Sequence, residues 1–193
     1  EIWRLDHYLG KRGVRNVLDF RLQNPHWEAK WNSEHIASVE LVVQENENVA
    51  DRIDFYSETG VVRDMMVNHM MEILATVAMD LPQDPNDLAQ VPRERAILLE
   101  SIAPLLRKDI VLAQYSEYAD HYRHHFEANP KARKVPQGED APTLGFAKLS
   151  IPTKRWSGVH FGIVHAKGVD TRKAYVRIAL KAGGELLLHI QGG

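Results

Sequence analysis

The run Asp6-His7-Tyr8-Leu9-Gly10-Lys11 places a carboxylate, an imidazole, a phenol and an ammonium within six positions. A lysine and a tyrosine hydroxyl can hold a phosphate, and a carboxylate can orient an imidazole. The same residues can also simply cap and decorate a helix, so both readings stay open at this point. A second set lies downstream. At about 100° per residue, Val62, Met66, Met70, Ile73, Leu74 and Val77 form one apolar arc. Asp64, Asn68 and Glu72 fall in the complementary arc, with His69 at its margin. A histidine where a polar arc meets a core is partly desolvated, a setting that can suit a general base. The alternative is a solvated helix face with a boundary histidine. Lys167, Arg172 and Lys173 crowd one turn between two strands, either an anion site or a solvated hairpin. His121 and His125 have the i, i+4 spacing of a metal pair, but no third ligand is evident and the segment reads as loop, so no metal site is expected. The methionines and Trp27, Trp31 and Trp156 read as packing.

These groups need a scaffold, and the order of elements suggests one. Val14, Val17, Leu18 and Leu22 give a helix with one apolar stripe that ends before Asn24-Pro25. Residues 36–43 read as a strand, and Arg52-Ile53-Asp54-Phe55-Tyr56 as another. The segment from Gly60 to Met79 is the strongest helix, with Ser57 as its N-cap. Residues 81–92 read as loop. Pro92 opens a further helix expected to run to about Leu106, and residues 127–142 form a Pro- and charge-rich excursion. Four short alternating runs follow, at 143–151, 158–165, 173–181 and 184–191. Helices first and strands later predict an α+β fold, with helices packed on a mainly antiparallel sheet. Alternation of Ala174, Val176, Ile178 and Leu180 predicts a sheet buried on one face.

Composition narrows the function. With 193 residues and 44% hydrophobic content, residues 1–193 are expected to form one domain with a real core. A net charge of −2 with interspersed signs argues against a nucleic-acid or membrane-surface partner. Absence of cysteine excludes disulfide and thiol chemistry and fits a reducing, cytoplasmic setting. No apolar run approaches a membrane span, and no signal peptide opens the chain. The start at Glu1 and the end just after a strand suggest a chain cut from a longer protein. No glycine-rich dinucleotide fingerprint, Walker loop or nucleophile elbow is present.

Several segments together carry a family resemblance. The opening Arg4-Leu5-Asp6-His7-Tyr8-Leu9-Gly10-Lys11 resembles the R-I-D-H-Y-L-G-K signature of glucose-6-phosphate dehydrogenases. Residues 31–45, 60–82, 154–178 and 184–191 resemble further segments of that family in matching order over nearly the whole chain. The resemblance implies that His7, Tyr8, Lys11, Lys167 and Arg172 surround a sugar phosphate, and that Glu45, Asp64 and Gln191 hold the sugar. It implies that His69 is the general base for the C1 hydroxyl, with Asp6 orienting it. Homo-oligomers through the sheet are implied too. There are departures. The family's nucleotide-binding Rossmann domain is not in this sequence, so NADP is expected only where such a domain is supplied. Arg52–Tyr56 replaces a glycine-rich segment, and Val164-His165-Ala166-Lys167 replaces R-x-G-K. Three functions therefore remain: the sugar-phosphate half of a dehydrogenase, a relative without NADP that isomerises, epimerises or eliminates on a sugar phosphate, and a non-catalytic sugar-phosphate binder.

Overall fold

The computed structural model describes residues 6–84, 87–135 and 138–191. Helices α1 (Arg12–Gln23) and α2 (Pro25–Glu28) precede strand β1 (Ile36–Gln44). Helix α3 (Ile53–Val61) leads into a π-helical segment (Val62–Met70), which α4 (Met71–Ala78) continues. Helix α5 (Val91–Ser101), strand β2 (Ile110–Ala113) and helix α6 (Tyr118–Ala128) follow. Four more strands complete the sheet: β3 (Leu144–Leu149), β4 (His160–Ala166), β5 (Lys173–Leu180) and β6 (Glu185–His189). Arg4 and Leu5 of the opening motif lie outside the described residues. So do Pro85 and Asn86 of the predicted loop, Pro136 and Gln137 of the predicted excursion, and Gly192-Gly193.

The expected α+β arrangement is present. Strand order is β2-β3-β4-β1-β5-β6, with β1 and β4 parallel and every other neighbouring pair antiparallel. One face carries the core. Val39, Leu41 and Val43 of β1 stand in register with Phe161, Ile163 and His165 of β4, and with Ile178, Val176 and Ala174 of β5. All nine are buried, as the two-residue period requires of a sheet covered by helices. The opposite face carries the row Val111-Phe146-Val164-Val42-Tyr175, which crosses five strands in register.

The helix that carries His69 is fixed at both ends. At its start Gly60 adopts φ 55°, a left-handed conformation open to glycine, and Val61 N–H donates to Pro142 C=O at 2.8 Å. At its end the last carbonyls need donors, and three buried side chains supply them. Arg21 donates to the carbonyls of Thr76, Val77 and Met79. Trp31 Nε1 donates to Val77 and Trp156 Nε1 to Ala78, at 2.8 and 2.7 Å. The two tryptophans therefore cap a helix as well as pack. The Glu28 carboxylate holds the Arg21 guanidinium through two bonds of 2.7–2.8 Å.

Several local expectations are corrected. Arg52–Tyr56 is not a strand: Ile53, Tyr56 and Gly60 are buried on one face of α3, a helical spacing that a five-residue window cannot reveal. Ser57 does not cap a helix, because it lies inside α3 and its hydroxyl donates to Asp54 C=O. The helix after Pro92 stops at Ser101 rather than near Leu106. The segment around His121 and His125 is helix rather than loop, burying Tyr118, Tyr122 and Phe126 at i, i+4, i+8. The two histidines serve separate partners: His121 Nδ1 meets Tyr115 Oη at 3.1 Å and His125 Nε2 meets Asp54 Oδ1 at 2.9 Å.

Candidate active site

The candidate side chains gather at one end of the sheet. Parallel strands end side by side, and the residues just past their carboxyl ends are Glu45 after β1 and Lys167 after β4. Glu45 N–H donates to Ala166 C=O at 2.9 Å, and Lys167 N–H donates to Thr143 C=O at 3.0 Å. Gln191 follows β6, and its N–H meets Ala174 C=O at 3.4 Å. The start of α1 presses on the same place. A Cβ at Gly13 would lie 2.2 Å from Ile190 O, so only glycine permits this approach. That approach sets Lys11 Nζ 3.2 Å from Gln191 Oε1 and 3.3 Å above the Tyr8 ring.

The π-helical segment supplies the rest. Its i→i+5 bonding brings residue i+5 over residue i, and so His69 over Asp64. An α-helix would separate them by about 140°. The Asn68 side chain binds the loosened backbone: its Oδ1 accepts from His69 N–H at 2.5 Å and its Nδ2 donates to Arg63 C=O at 3.0 Å. His69 Nδ1 lies 2.5 Å from Asp6 Oδ2, across 63 residues of sequence. The His69 ring stacks on Tyr8 at 4.7 Å between centroids and meets His7 edge-on at 4.3 Å. Donor atoms of Asp6, His7 and His69 all lie within 4.8 Å of one another, close enough to share a divalent cation.

Charge is nearly balanced at the floor of the site. Lys167 Nζ contacts Glu45 Oε2 at 2.5 Å and Asp64 Oδ2 at 3.5 Å. Burial pushes the Glu45 carboxyl up, but the Lys167 bond and charge outweigh it and hold Glu45 below the usual range. Burial, with the Glu45 charge second, raises the Tyr8 phenol well above its ordinary value, so Tyr8 keeps its proton as a donor. Burial lowers Lys11; Arg172 adds to this while Glu45 opposes it. His165, fully buried, is depressed to about 4 by burial against the opposing pull of Glu45. At neutral pH it is therefore uncharged, and its 3.7 Å approach to Glu45 is not an ion pair.

Six buried side-chain polar atoms among the described residues have no hydrogen-bond partner in the protein, and four of them belong to this cluster: Tyr56 Oη, Asp64 Oδ2 and both ring nitrogens of His165. Buried polar atoms are normally satisfied, and these four stand together beside Glu45 and Lys167. A cleft of about 450 Å³ opens at the other end of α4, beside Asp80, Leu98 and Trp156, and no sequence-predicted site residue borders it.

A model of the family described as glucose-6-phosphate dehydrogenase, C-terminal domain, matches residues 18–191. The chain belongs to this family. The glucose-6-phosphate 1-dehydrogenase of Helicobacter pylori is 35% identical over 184 residues, which are 94% of this chain and 40% of that protein. The human GDH/6PGL endoplasmic bifunctional protein is 34% identical over 182 residues, 94% of this chain and 22% of that protein. A solved structure of a glucose-6-phosphate dehydrogenase in complex with its substrate glucose-6-phosphate superposes with a TM-score of 0.84 at 29% identity, covering all of this chain and 41% of that one. The chain thus spans well under half the length of these relatives.

Within this glucose-6-phosphate dehydrogenase domain, Asp6, His7, Tyr8, Lys11, Glu45, Asp64, His69, Lys167 and Gln191 come together at the sheet end. Arg172 is half exposed and its Nη1 lies 3.5 Å from Glu47, so it joins the group through its charge on Tyr8 and Lys11 rather than by contact. Sequence reasoning missed Tyr56, hidden in the supposed strand, and Arg52, whose Nη2 lies 3.6 Å from Asp64. It also missed His165, whose two-residue period with Phe161 and Ile163 marked it only as a core position.

Proposed function

We propose that residues 1–193 act as one domain, the sugar-phosphate-binding and proton-accepting half of a glucose-6-phosphate dehydrogenase. His69 takes the proton of the C1 hydroxyl as C1 is oxidised toward a lactone. The observation that carries this reading is the 2.5 Å contact of His69 Nδ1 with Asp6. An Nδ1–H given to a carboxylate fixes the tautomer and leaves Nε2 unprotonated and free to accept. Lys11, Tyr8, His7, Lys167 and Arg172 serve the phosphate, whose two charges call for several cationic and hydroxyl donors. Glu45, Asp64 and Gln191 serve the sugar hydroxyls, which donate and accept in pairs. The domain comparison supports the same assignment, since the superposed relative is a glucose-6-phosphate dehydrogenase bound to its substrate.

The residues of this chain do not fit NADP. A dinucleotide pyrophosphate seeks a glycine turn leading to a helix start. The chain after β1 is instead Glu45-Asn46-Glu47-Asn48, whose carboxylates would repel it. The hydride acceptor therefore belongs to a separate nucleotide-binding domain. A cysteine-free sequence suits a cytoplasmic location, and the apolar row on the outer sheet face suits association of two copies.

Calorimetry tests the substrate assignment. Glucose 6-phosphate is expected to bind well above glucose, and Lys11→Met to remove about 1.5–3 kcal/mol of that preference, the worth of one charge-assisted contact. Glucose binding as tightly as its phosphate would overturn the reading.

A further inference from the structure

His165 has no role in the mechanism above, yet it sits at the floor of the same site. It occupies the end of β4 on the core face, in register with Val43, and is fully buried. Neither ring nitrogen has a hydrogen-bond partner among the described residues. Its Nε2 lies 3.7 Å from Glu45 Oε2, the same oxygen that Lys167 Nζ holds at 2.5 Å. A buried ring N–H left without an acceptor is costly unless another state of the site supplies one; Glu45 Oε2 is partly exposed and is already taken by Lys167. Lys167 has competing claims: Glu45, Asp64 and, on the reading above, the phosphate of the substrate.

We propose that His165 is a positioning residue for Glu45: when a sugar phosphate draws Lys167 to its phosphate, His165 Nε2–H takes over Glu45 Oε2 and keeps that carboxylate aligned for a sugar hydroxyl. Closing the gap needs a shift of under about 1 Å. Because the ring is uncharged, it does not compete with Lys167 in the free protein. Phosphate binding and the alignment of the sugar-binding carboxylate are thereby coupled through one exchange of partners. This inference rests on the sugar-phosphate reading.

The test compares the parent protein with His165→Phe, which keeps a ring but no donor, and His165→Gln, which keeps a donor. Calorimetry is run with glucose 6-phosphate, inorganic phosphate and glucose. His165→Phe is expected to weaken glucose 6-phosphate and inorganic phosphate by about tenfold or more, the loss of a hydrogen bond to a charged group. Glucose binding, which leaves Lys167 in place, is unchanged, and His165→Gln retains most of the parent affinity. In the parent protein, ring-¹⁵N spectra should show the His165 Nε2–H resonance moving downfield on saturation with glucose 6-phosphate but not with glucose, a readout that stands even where a variant fails to fold. A parent resonance that does not move, His165→Phe binding the phosphates normally, equal losses for glucose, or His165→Gln as weak as His165→Phe would each overturn the exchange. A parent protein that does not bind glucose 6-phosphate would overturn the sugar-phosphate reading itself, and this proposal with it.

Discussion

Replacing Lys167 by methionine keeps the length of the side chain and removes its charge. The Lys167 side chain is 8% exposed and that of its partner Glu45 19%, so water compensates Lys167 hardly at all and Glu45 only in part. Glu45 would be left beside Asp64 and the uncharged His165. Removing one member of a buried pair costs about 3–5 kcal/mol; the remaining exposure of Glu45 and the nearby Lys11 bring the expected loss at pH 7 to about 2–4 kcal/mol. The pH dependence has a definite sign. In the parent, Glu45 titrates below its unfolded value, so its contribution is complete above that value and is lost as pH falls through the folded one. In Lys167→Met the burial effect is no longer countered by Lys167, the folded pKa rises above the unfolded one, and the variant loses stability as pH rises. The deficit is therefore largest at neutral pH and shrinks toward pH 4–5. Urea unfolding followed by tryptophan fluorescence at pH 5 and pH 7.5 measures it. Adding Glu45→Gln to Lys167→Met should recover most of the loss, since a neutral pair replaces the stranded carboxylate. A deficit under about 1 kcal/mol, or one equal at both pH values, would refute the reasoning.

Two further outcomes are expected. Arg21→Leu removes three donors from the end of α4 and strands Glu28, which Arg155 still holds at 2.8 Å; a loss of about 2–4 kcal/mol in urea unfolding is expected, and an unchanged midpoint would show that Trp31 and Trp156 suffice as caps. The apolar row through Phe146 and Val164 predicts association through the outer sheet face: sedimentation should give at least twice the mass of one chain at micromolar concentration, Phe146→Lys should shift it toward one chain, and a parent sedimenting as one chain would contradict the assignment.

What could be read from the sequence depended on how far each signal reached. The run Ala174-Val176-Ile178 declared a one-sided strand because its partners are all core, and β1 and β3 to β6 stand where the alternation put them. Strand β2 gave no such signal, since Val111, Leu112 and Ala113 at the sheet edge are all exposed. Residues 52–56 were too few to separate a helical period from a strand. The apolar arc from Val62 to Val77 is buried except at Val62, which is partly exposed, but its reading assumes α-helical winding throughout. The π segment is preceded by the Gly60–Pro142 contact and braced by the two bonds of Asn68, which are tertiary or side-chain features invisible to periodicity. The meeting of Asp6 with His69 and of Glu45 with Lys167 was legible only through family resemblance, because contacts across 63 and 122 residues leave no local trace. His165 hid because a buried position on a strand reads as packing whatever its chemistry.

The most direct test of the central claim is to measure binding and turnover together for His69→Asn in the complete enzyme. Asparagine keeps a polar group at the position but cannot accept the proton. Glucose 6-phosphate should bind within a few fold of the parent, while oxidation falls by about 10²–10⁴, the usual loss for a general base. Asp6→Asn should follow it, because an amide in place of the carboxylate disturbs the tautomer. A His69→Asn enzyme that binds normally and turns over within a few fold of the parent would contradict the account.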